Sequence, residues 1–183
     1  MREIAEFFME RISTPIGEAL ILADVDGHLR AFDWTEHEER MRRLLQLQYG
    51  EARFRLRPAQ NPNGLANAIE RYFAGELRAI DSLPVQTAGT PFQQKVWRAL
   101  RRVPCGATIS YATLAQRIGQ PTAVRAVGLA NGSNPVGVVV PCHRVIGSNG
   151  SLTGYGGGIE RKRWLLEHER KFGEHEGERV VTF

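Results

Sequence analysis

The run Pro141-Cys142-His143-Arg144 sets a thiol beside an imidazole. A thiol reacts as its thiolate, and a free Cys with a pKa of ~8.5 is only slightly ionised at neutral pH. An imidazole within reach takes the proton and leaves a nucleophile suited to displacement at carbon. Adjacency alone does not provide that contact, because successive side chains on extended backbone point to opposite faces. A turn or a bridging water has to bring the two groups together. A carboxylate should then fix the imidazole tautomer. Glu160, Glu167 and Glu169 are all available near the C-terminus, and spacing does not choose among them. A buried Cys beside an unrelated His would present the same dipeptide. The second thiol, Cys105, falls in a turn between helices and reads as structural.

Several elements must position this run. Residues 4–34 read as β-rich, with turns at Pro15-Ile16-Gly17 and Asp26-Gly27. Glu18–Ala23 and His28–Phe32 flank the second turn as a hairpin. Met41, Leu44, Leu45 and Gln48 recur at helical spacing over 36–48. Asn61-Pro62-Asn63-Gly64 is a break. Leu65, Ile69, Tyr72 and Phe73 then mark an amphipathic helix ending at Gly75. Asp81 to Gly89 reads as a connector, which places a domain boundary near residue 87.

The second half opens on Thr90-Pro91, an N-cap followed by Pro at the first helical position. Phe92, Val96, Trp97 and Leu100 form the apolar face of that helix. Ser110 caps a short helix from Tyr111 to Ile118. Gly119-Gln120-Pro121 turns the chain, and Thr122 caps a second short helix running through Arg125 to about Ala130. Two short helices about a Gly-containing turn read as a helix-turn-helix. Val136 to Val140 is β-branched and apolar, and reads as a buried strand delivering the chain to Cys142. A Gly-rich loop spans Gly147 to Gly158. The last helix runs from Ile159 to Arg170 with Trp164, Leu165 and His168 inward, and residues 174–183 read as a polar tail.

The bulk composition suits these elements. Of 183 residues, 42% are hydrophobic and 24% charged, which supports a packed core and argues against disorder. The formal net charge of +4 favours a polyanionic partner without requiring one. Two cysteines are too few for a disulfide framework, and no paired Cys/His spacing suggests a metal site. A reducing, cytoplasmic setting follows. The N-terminus is a poor signal peptide, and the longest apolar stretch is too short for a bilayer, so no membrane role is expected.

The run Asn134-Pro135-Val136-Gly137-Val138-Val139-Val140-Pro141-Cys142-His143-Arg144-Val145-Ile146-Gly147 closely resembles the active-site signature of the O6-methylguanine-DNA methyltransferases. The flanking motifs resemble the family in the same order. Upstream these are Gly89-Thr90-Pro91-Phe92-Gln93, Val103-Pro104-Cys105-Gly106, Ser110-Tyr111 and Arg125-Ala126-Val127-Gly128. Downstream they are Thr153 to Gly158 and Lys162 to Glu169. The bacterial constitutive form is the most similar. The resemblance implies an α+β fold: a small N-terminal α/β domain over 1–87, with a ribonuclease H-like antiparallel sheet and helices. A mostly helical, winged-helix-like C-terminal domain over 88–173 would carry the helix-turn-helix.

The resemblance also implies roles. Cys142 takes the alkyl group from O6 of guanine, and from O4 of thymine, once per molecule. His143 serves as its base through a water, and Glu169 orients His143. Tyr111 gives a proton to the leaving guanine, and Asn134 is the hinge before the active-site segment. Arg125 is the finger that fills the gap left by a flipped base, on a helix entering the minor groove. Ala126 and Gly128 let that helix approach closely. Val145, Tyr155, Gly156 and Gly157 form the base pocket, with carbonyls near Cys142 and Val145 reading the base's amino group. The implied partner is double-stranded DNA carrying O6-alkylguanine or O4-alkylthymine, with no cofactor, no metal and no obligate protein partner. The protein would act as a monomer, with cooperative binding on DNA left open.

Some features depart from the family or compete with it. Animal relatives carry zinc in the N-terminal domain, but this chain has no Cys before Cys105, and His28 and His37 read as surface residues. Gly154 to Gly158 lacks the Gly-Lys-Ser/Thr of a phosphate loop. Arg161-Lys162-Arg163 would suit either DNA phosphates or a solvated helix face. Gly156 stands where some relatives have a small hydroxylic residue, which predicts a slightly roomier loop. The main alternative is a non-catalytic damage-recognition protein, but relatives of that kind replace the Cys. A winged-helix regulator and a Cys-His hydrolase fit the pattern less well.

Overall fold

The computed structural model describes residues 4–51 and 53–176, the last three as backbone. Four strands make the first sheet: β1 (Ala5–Thr14), β2 (Gly17–Asp24), β3 (Leu29–Trp34) and β4 (Phe54–Pro58), in the order β3-β2-β1-β4. Both predicted turns are present, with Gly17 and Gly27 at positive φ. The sheet is antiparallel from β1 to β3, but β4 joins β1 in parallel, so it is mixed where an all-antiparallel sheet was expected. The strand β4 carries a legible alternation, Phe54 and Leu56 against the exposed Arg55 and Arg57.

Alternation along β2 feeds two layers. Leu20 and Leu22 pack with Met41 and Leu45 of α1 (Glu38–Tyr49). Ala19, Ile21 and Ala23 face a larger core shared with Ile69 and Tyr72 of α2 (Leu65–Phe73) and with the second half of the chain. The outer edge of β3 is covered at two points. Leu29 pairs with the connector at Pro84 and Gln86, and Phe32 pairs with Pro135 and Gly137. The segment before Cys142 is thus docked onto the edge of the N-terminal sheet, which satisfies backbone groups that an edge strand would otherwise leave open.

The second half contains α3 (Pro91–Leu100), β5 (Ile109–Ser110), α4 (Tyr111–Arg117), α5 (Val124–Gly132), β6 (Val145–Ile146) and α6 (Ile159–Glu176). A Thr90–Gln93 capping box starts α3, and Ser110 accepts the Thr113 amide to start α4. The expected Thr122 cap is not formed. Ala123 closes a turn onto the Gln120 carbonyl at 2.9 Å, so α5 begins one residue later without a side-chain cap. Helices α4 and α5 form the helix-turn-helix, and Trp97 of α3 holds α5 by donating to the Ala130 carbonyl at 2.8 Å.

The predicted strand at Val136–Val140 is instead a tight turn. Val138 has φ +66°, and the Val140 amide bonds back to the Val136 carbonyl at 3.0 Å. An apolar run shows burial, not backbone direction, and here every Val is buried inside a turn. The last helix also runs past the expected start of the tail at residue 174, to Glu176; residues 177–183 lie outside the described residues. Among the described residues no helix is long and apolar enough to cross a membrane.

Candidate active site

Asn134 builds the turn that carries Cys142. Its Oδ1 accepts the Val136 amide at 2.9 Å and its Nδ2 donates to the Val140 carbonyl at 2.8 Å. This clamp holds Val138 in a left-handed conformation that a β-branched residue rarely adopts. A 3₁₀ turn over Cys142–Arg144 follows, so three successive side chains leave in three directions. Cys142 lines a cavity, while His143 and Arg144 turn inward to α6. No hydrogen bond joins Cys142 to His143 among the described residues.

Glu169 lies fully buried at the centre of the polar cluster. Its Oε1 accepts from His143 Nε2 at 2.7 Å, from the Tyr72 hydroxyl at 2.7 Å and from Arg144 Nη2 at 2.8 Å. Its Oε2 accepts from Arg144 Nε at 2.9 Å. Burial opposes its charge, but the hydrogen bonds from His143 and Arg144 and the fixed charge of Arg144 hold the carboxyl well below the usual carboxylate range. Glu160 is exposed and pairs with Arg163, and Glu167 is exposed. Of the three candidate carboxylates, the structure brings only Glu169 to His143.

The tautomer of His143 follows. An ionised carboxylate only accepts, so the nitrogen facing Glu169 must carry a proton. Burial pushes the imidazole below its ordinary 6.5, Arg144 and Lys162 push it the same way, and Glu169 opposes them. The neutral ring then has its lone pair on Nδ1. That atom is buried and has no hydrogen-bond partner.

Cys142 is 7% exposed. Burial pushes its thiol up, against Asn134, Arg40 and Lys162, which favour the thiolate. Cys105 differs in kind: burial and the nearby Glu169 push it up to about 12, and its sulfur accepts from Arg144 Nη2 at 3.1 Å. Cys105 does not line the cavity beside Cys142.

The cavity beside Cys142 has a volume of about 320 Å³. Tyr111, Gly128, Asn131 and the loop from Thr153 to Gly157 line it from the second half. Phe32, Asp33, Trp34 and Arg40 line it from the first. The parallel pair of β5 with β6 sets the start of α4 beside the Cys142 run, which brings Tyr111 to the cavity. Lys162 holds the loop from below. It is fully buried, and its ammonium donates to the carbonyls of Val145 at 2.6 Å and Thr153 at 2.8 Å.

The expected pocket residues divide. Tyr155, Gly156 and Gly157 line the cavity, whereas Val145 is buried outside its lining and offers its carbonyl to Lys162. Gly156 does not leave a roomier loop. A Cβ there would lie 2.5 Å from Arg40 Cζ, so the Arg40 guanidinium already fills that space, bonded to Asp33 at 2.6 Å and to the Gly132 carbonyl at 2.9 Å. At Gly157 a Cβ would meet Trp34 Nε1 at 2.4 Å.

Arg125 and Ala126 are exposed on α5, away from the cavity lining, and Gly128 on the same helix lies at its wall. Neither reading of Arg161-Lys162-Arg163 survives intact. Arg161 lies over Trp34 and bonds Glu36 and the Ile16 and Gly157 carbonyls, Lys162 is buried, and Arg163 pairs with Glu160. His28 is half-buried with Nδ1 3.3 Å from Asp24, and His37 lies near Glu36. Sequence reasoning missed Tyr72, Arg40 and Lys162. Tyr72 and Arg40 carried no signal beyond ordinary helical spacing, and Lys162 none beyond its basic triplet.

Comparison with known proteins identifies the relatives of this geometry. The ribonuclease-like domain of 6-O-methylguanine DNA methyltransferase matches residues 8–87, and the DNA-binding domain of the same family matches residues 91–171. A methylated-DNA–protein-cysteine methyltransferase from Shigella flexneri is 52% identical over 160 residues, covering 87% of this chain and 94% of that protein. The constitutive enzyme of that name from Bacillus subtilis is 44% identical over 165 residues, covering 86% and 92%. The structure of Mycobacterium tuberculosis OGT in complex with DNA superposes with a TM-score of 0.73 at 40% identity, covering 91% of this chain and 94% of that one. The chain therefore belongs to the 6-O-methylguanine DNA methyltransferase family.

Proposed function

We propose that this protein repairs DNA by moving the alkyl group of O6-alkylguanine, and of O4-alkylthymine, irreversibly onto Cys142. The observation that carries this reading is the bare, buried Nδ1 of His143, whose other nitrogen is committed to Glu169. A base with one free lone pair, next in the chain to a cysteine that lines a cavity, is equipped to draw off the thiol proton through a water. Both groups are neutral at rest, because burial raises Cys142 and lowers His143. The proton therefore moves as the reaction proceeds, from Cys142 through a bridging water to His143 Nδ1. The sulfur attacks the alkyl carbon, the carbon–oxygen bond breaks, and its electron pair stays on the base. Tyr111, at the cavity wall, gives that base a proton. Glu169 balances the imidazolium that forms.

The target oxygen is inaccessible in stacked duplex DNA, so the nucleotide is flipped into the cavity. Arg125, exposed on α5, enters from the minor groove and fills the gap, and Ala126 and Gly128 keep that face low. Backbone carbonyls of the cavity wall beside Cys142 read the amino group of the flipped guanine, whereas that of Val145 is taken by Lys162. The N-terminal unit ends near residue 87, and the protein acts as a monomer. A thioether is not opened by thiol exchange, so each molecule reacts once.

The test is transfer of labelled methyl from O6-methylguanine duplex to protein. The expected trace plateaus at about one label per molecule, with the label on Cys142. Continued turnover, or label on Cys105, contradicts the proposal.

A further inference from the structure

Tyr72 lies in α2, in the half of the chain farthest in sequence from the nucleophile. It is fully buried, and its hydroxyl donates to Glu169 Oε1 at 2.7 Å, the same oxygen that accepts from His143. Its ring is fixed by edge contacts to Phe73 and His168, with centroids 5.2 and 5.3 Å away. The hydroxyl is therefore held in one place by packing rather than by its own bond. We infer that Tyr72 is a positioning residue for the alkyl transfer, through which the N-terminal unit orients Glu169 against His143 and sets how readily the imidazole takes a proton.

The charge balance explains why a neutral donor belongs there. The groups facing His143 are Glu169 and Lys162 from α6, Arg144 from its own turn, and Tyr72 from α2 acting through Glu169. Arg144 neutralises Glu169 with two bonds and by its charge makes His143 harder to protonate. A second cation at the remaining position on Oε1 would weaken the base further. A phenol holds the oxygen without adding charge, and burial beside Glu169 keeps that phenol protonated. Loss of the hydroxyl leaves Oε1 with fewer donors, so it binds the imidazolium more strongly and raises the pKa of His143.

This inference rests on the Cys142–His143–Glu169 relay proposed above, and its test is separable from that reading. Wild type and Tyr72→Phe are compared in single-turnover transfer from O6-methylguanine duplex between pH 5.5 and 9, with duplex affinity measured alongside. Phe keeps the ring packing and removes only the donor. The burst amplitude counts active molecules, so rates are read per active protein. The expected result is unchanged affinity, an acid limb moved to higher pH, and a rate loss of about 10-fold near pH 6 that shrinks to under ~3-fold by pH 8.5. An unchanged rate and limb overturn the inference, and so does a loss equal at every pH, which marks a packing defect. A substitution-free reading is proton NMR of the intact protein, in which the Tyr72 hydroxyl proton is protected from exchange and cross-relaxes with the His143 Nε2 proton. Absence of that signal overturns the inference, and the signal decides the matter if Tyr72→Phe retains no active fraction. A wild type that transfers no label contradicts the relay instead.

Discussion

Lys162 shows how a residue in a basic triplet is committed to the site. Its ammonium is buried on the carbonyls of Val145, ahead of the loop that walls the cavity, and Thr153, within it. Lys162→Met keeps the stem and removes the donor. It should destabilise the protein by ~1–3 kcal/mol, because buried carbonyls lose a partner, and slow transfer by loosening the loop. Chemical denaturation paired with burst kinetics measures both, and wild-type values for both would remove Lys162 from the site. Asn134→Ala opens the clamp on the Val138 turn and leaves the Val136 amide and Val140 carbonyl unpaired. An expected loss of ~2–4 kcal/mol would be read from the same denaturation curves. At this scale the sequence made Cys142 and His143 visible but not their arrangement. Glu169 was one of three carboxylates until a resemblance selected it, and Tyr72 looked like an ordinary apolar-face residue of a helix. Contacts across 97 positions, like that of Tyr72 with Glu169, leave no local spacing to read.

The elements were mostly legible because their signals are local. The capping box at Thr90, the Ser110 cap and the Gly17 and Gly27 turns each depend on a few neighbouring residues. The Val136–Val140 segment was misread because burial and strand geometry give the same composition when the run is short. The helix α5 presents Arg125 and Ala126 to solvent on the face proposed to meet DNA. Arg125→Ala should slow repair of duplex substrate by at least ~10-fold while leaving reaction with the free alkylated base nearly unchanged, since only the duplex requires unstacking. Equal loss on both substrates would remove the helix from the flipping step. At Gly157, Ala would drive a Cβ into Trp34, so Gly157→Ala should reduce transfer from either substrate. Free-base kinetics check this, and an unaffected rate would show that the loop moves aside without consequence.

Across the whole molecule, the site belongs to both halves of the chain. The sheet edge at Phe32 holds the segment before Cys142, Arg40 and Trp34 wall the cavity, and Tyr72 reaches Glu169. Stability should therefore follow the ionisation of the buried cluster. His143 titrates below its ordinary 6.5 in the folded state, so stability falls as pH drops through about 6.5 toward the folded value. Glu169 is depressed as well, and its contribution, complete above the unfolded carboxyl pKa, is lost at still lower pH. Thermal melts from pH 8 to 4 should show Tm beginning to drop below about pH 6.5, with one transition seen by probes in both halves. Separate transitions would contradict the shared site. That Cys142 is a consumed acceptor is tested by peptide mapping by mass spectrometry after incubation with excess O6-methylguanine duplex. The expected result is one methyl on the peptide containing Cys142 and none on that of Cys105, with Cys142→Ala still binding the duplex but taking up no methyl. Methylation elsewhere, or methyl loss from DNA by Cys142→Ala, would contradict it.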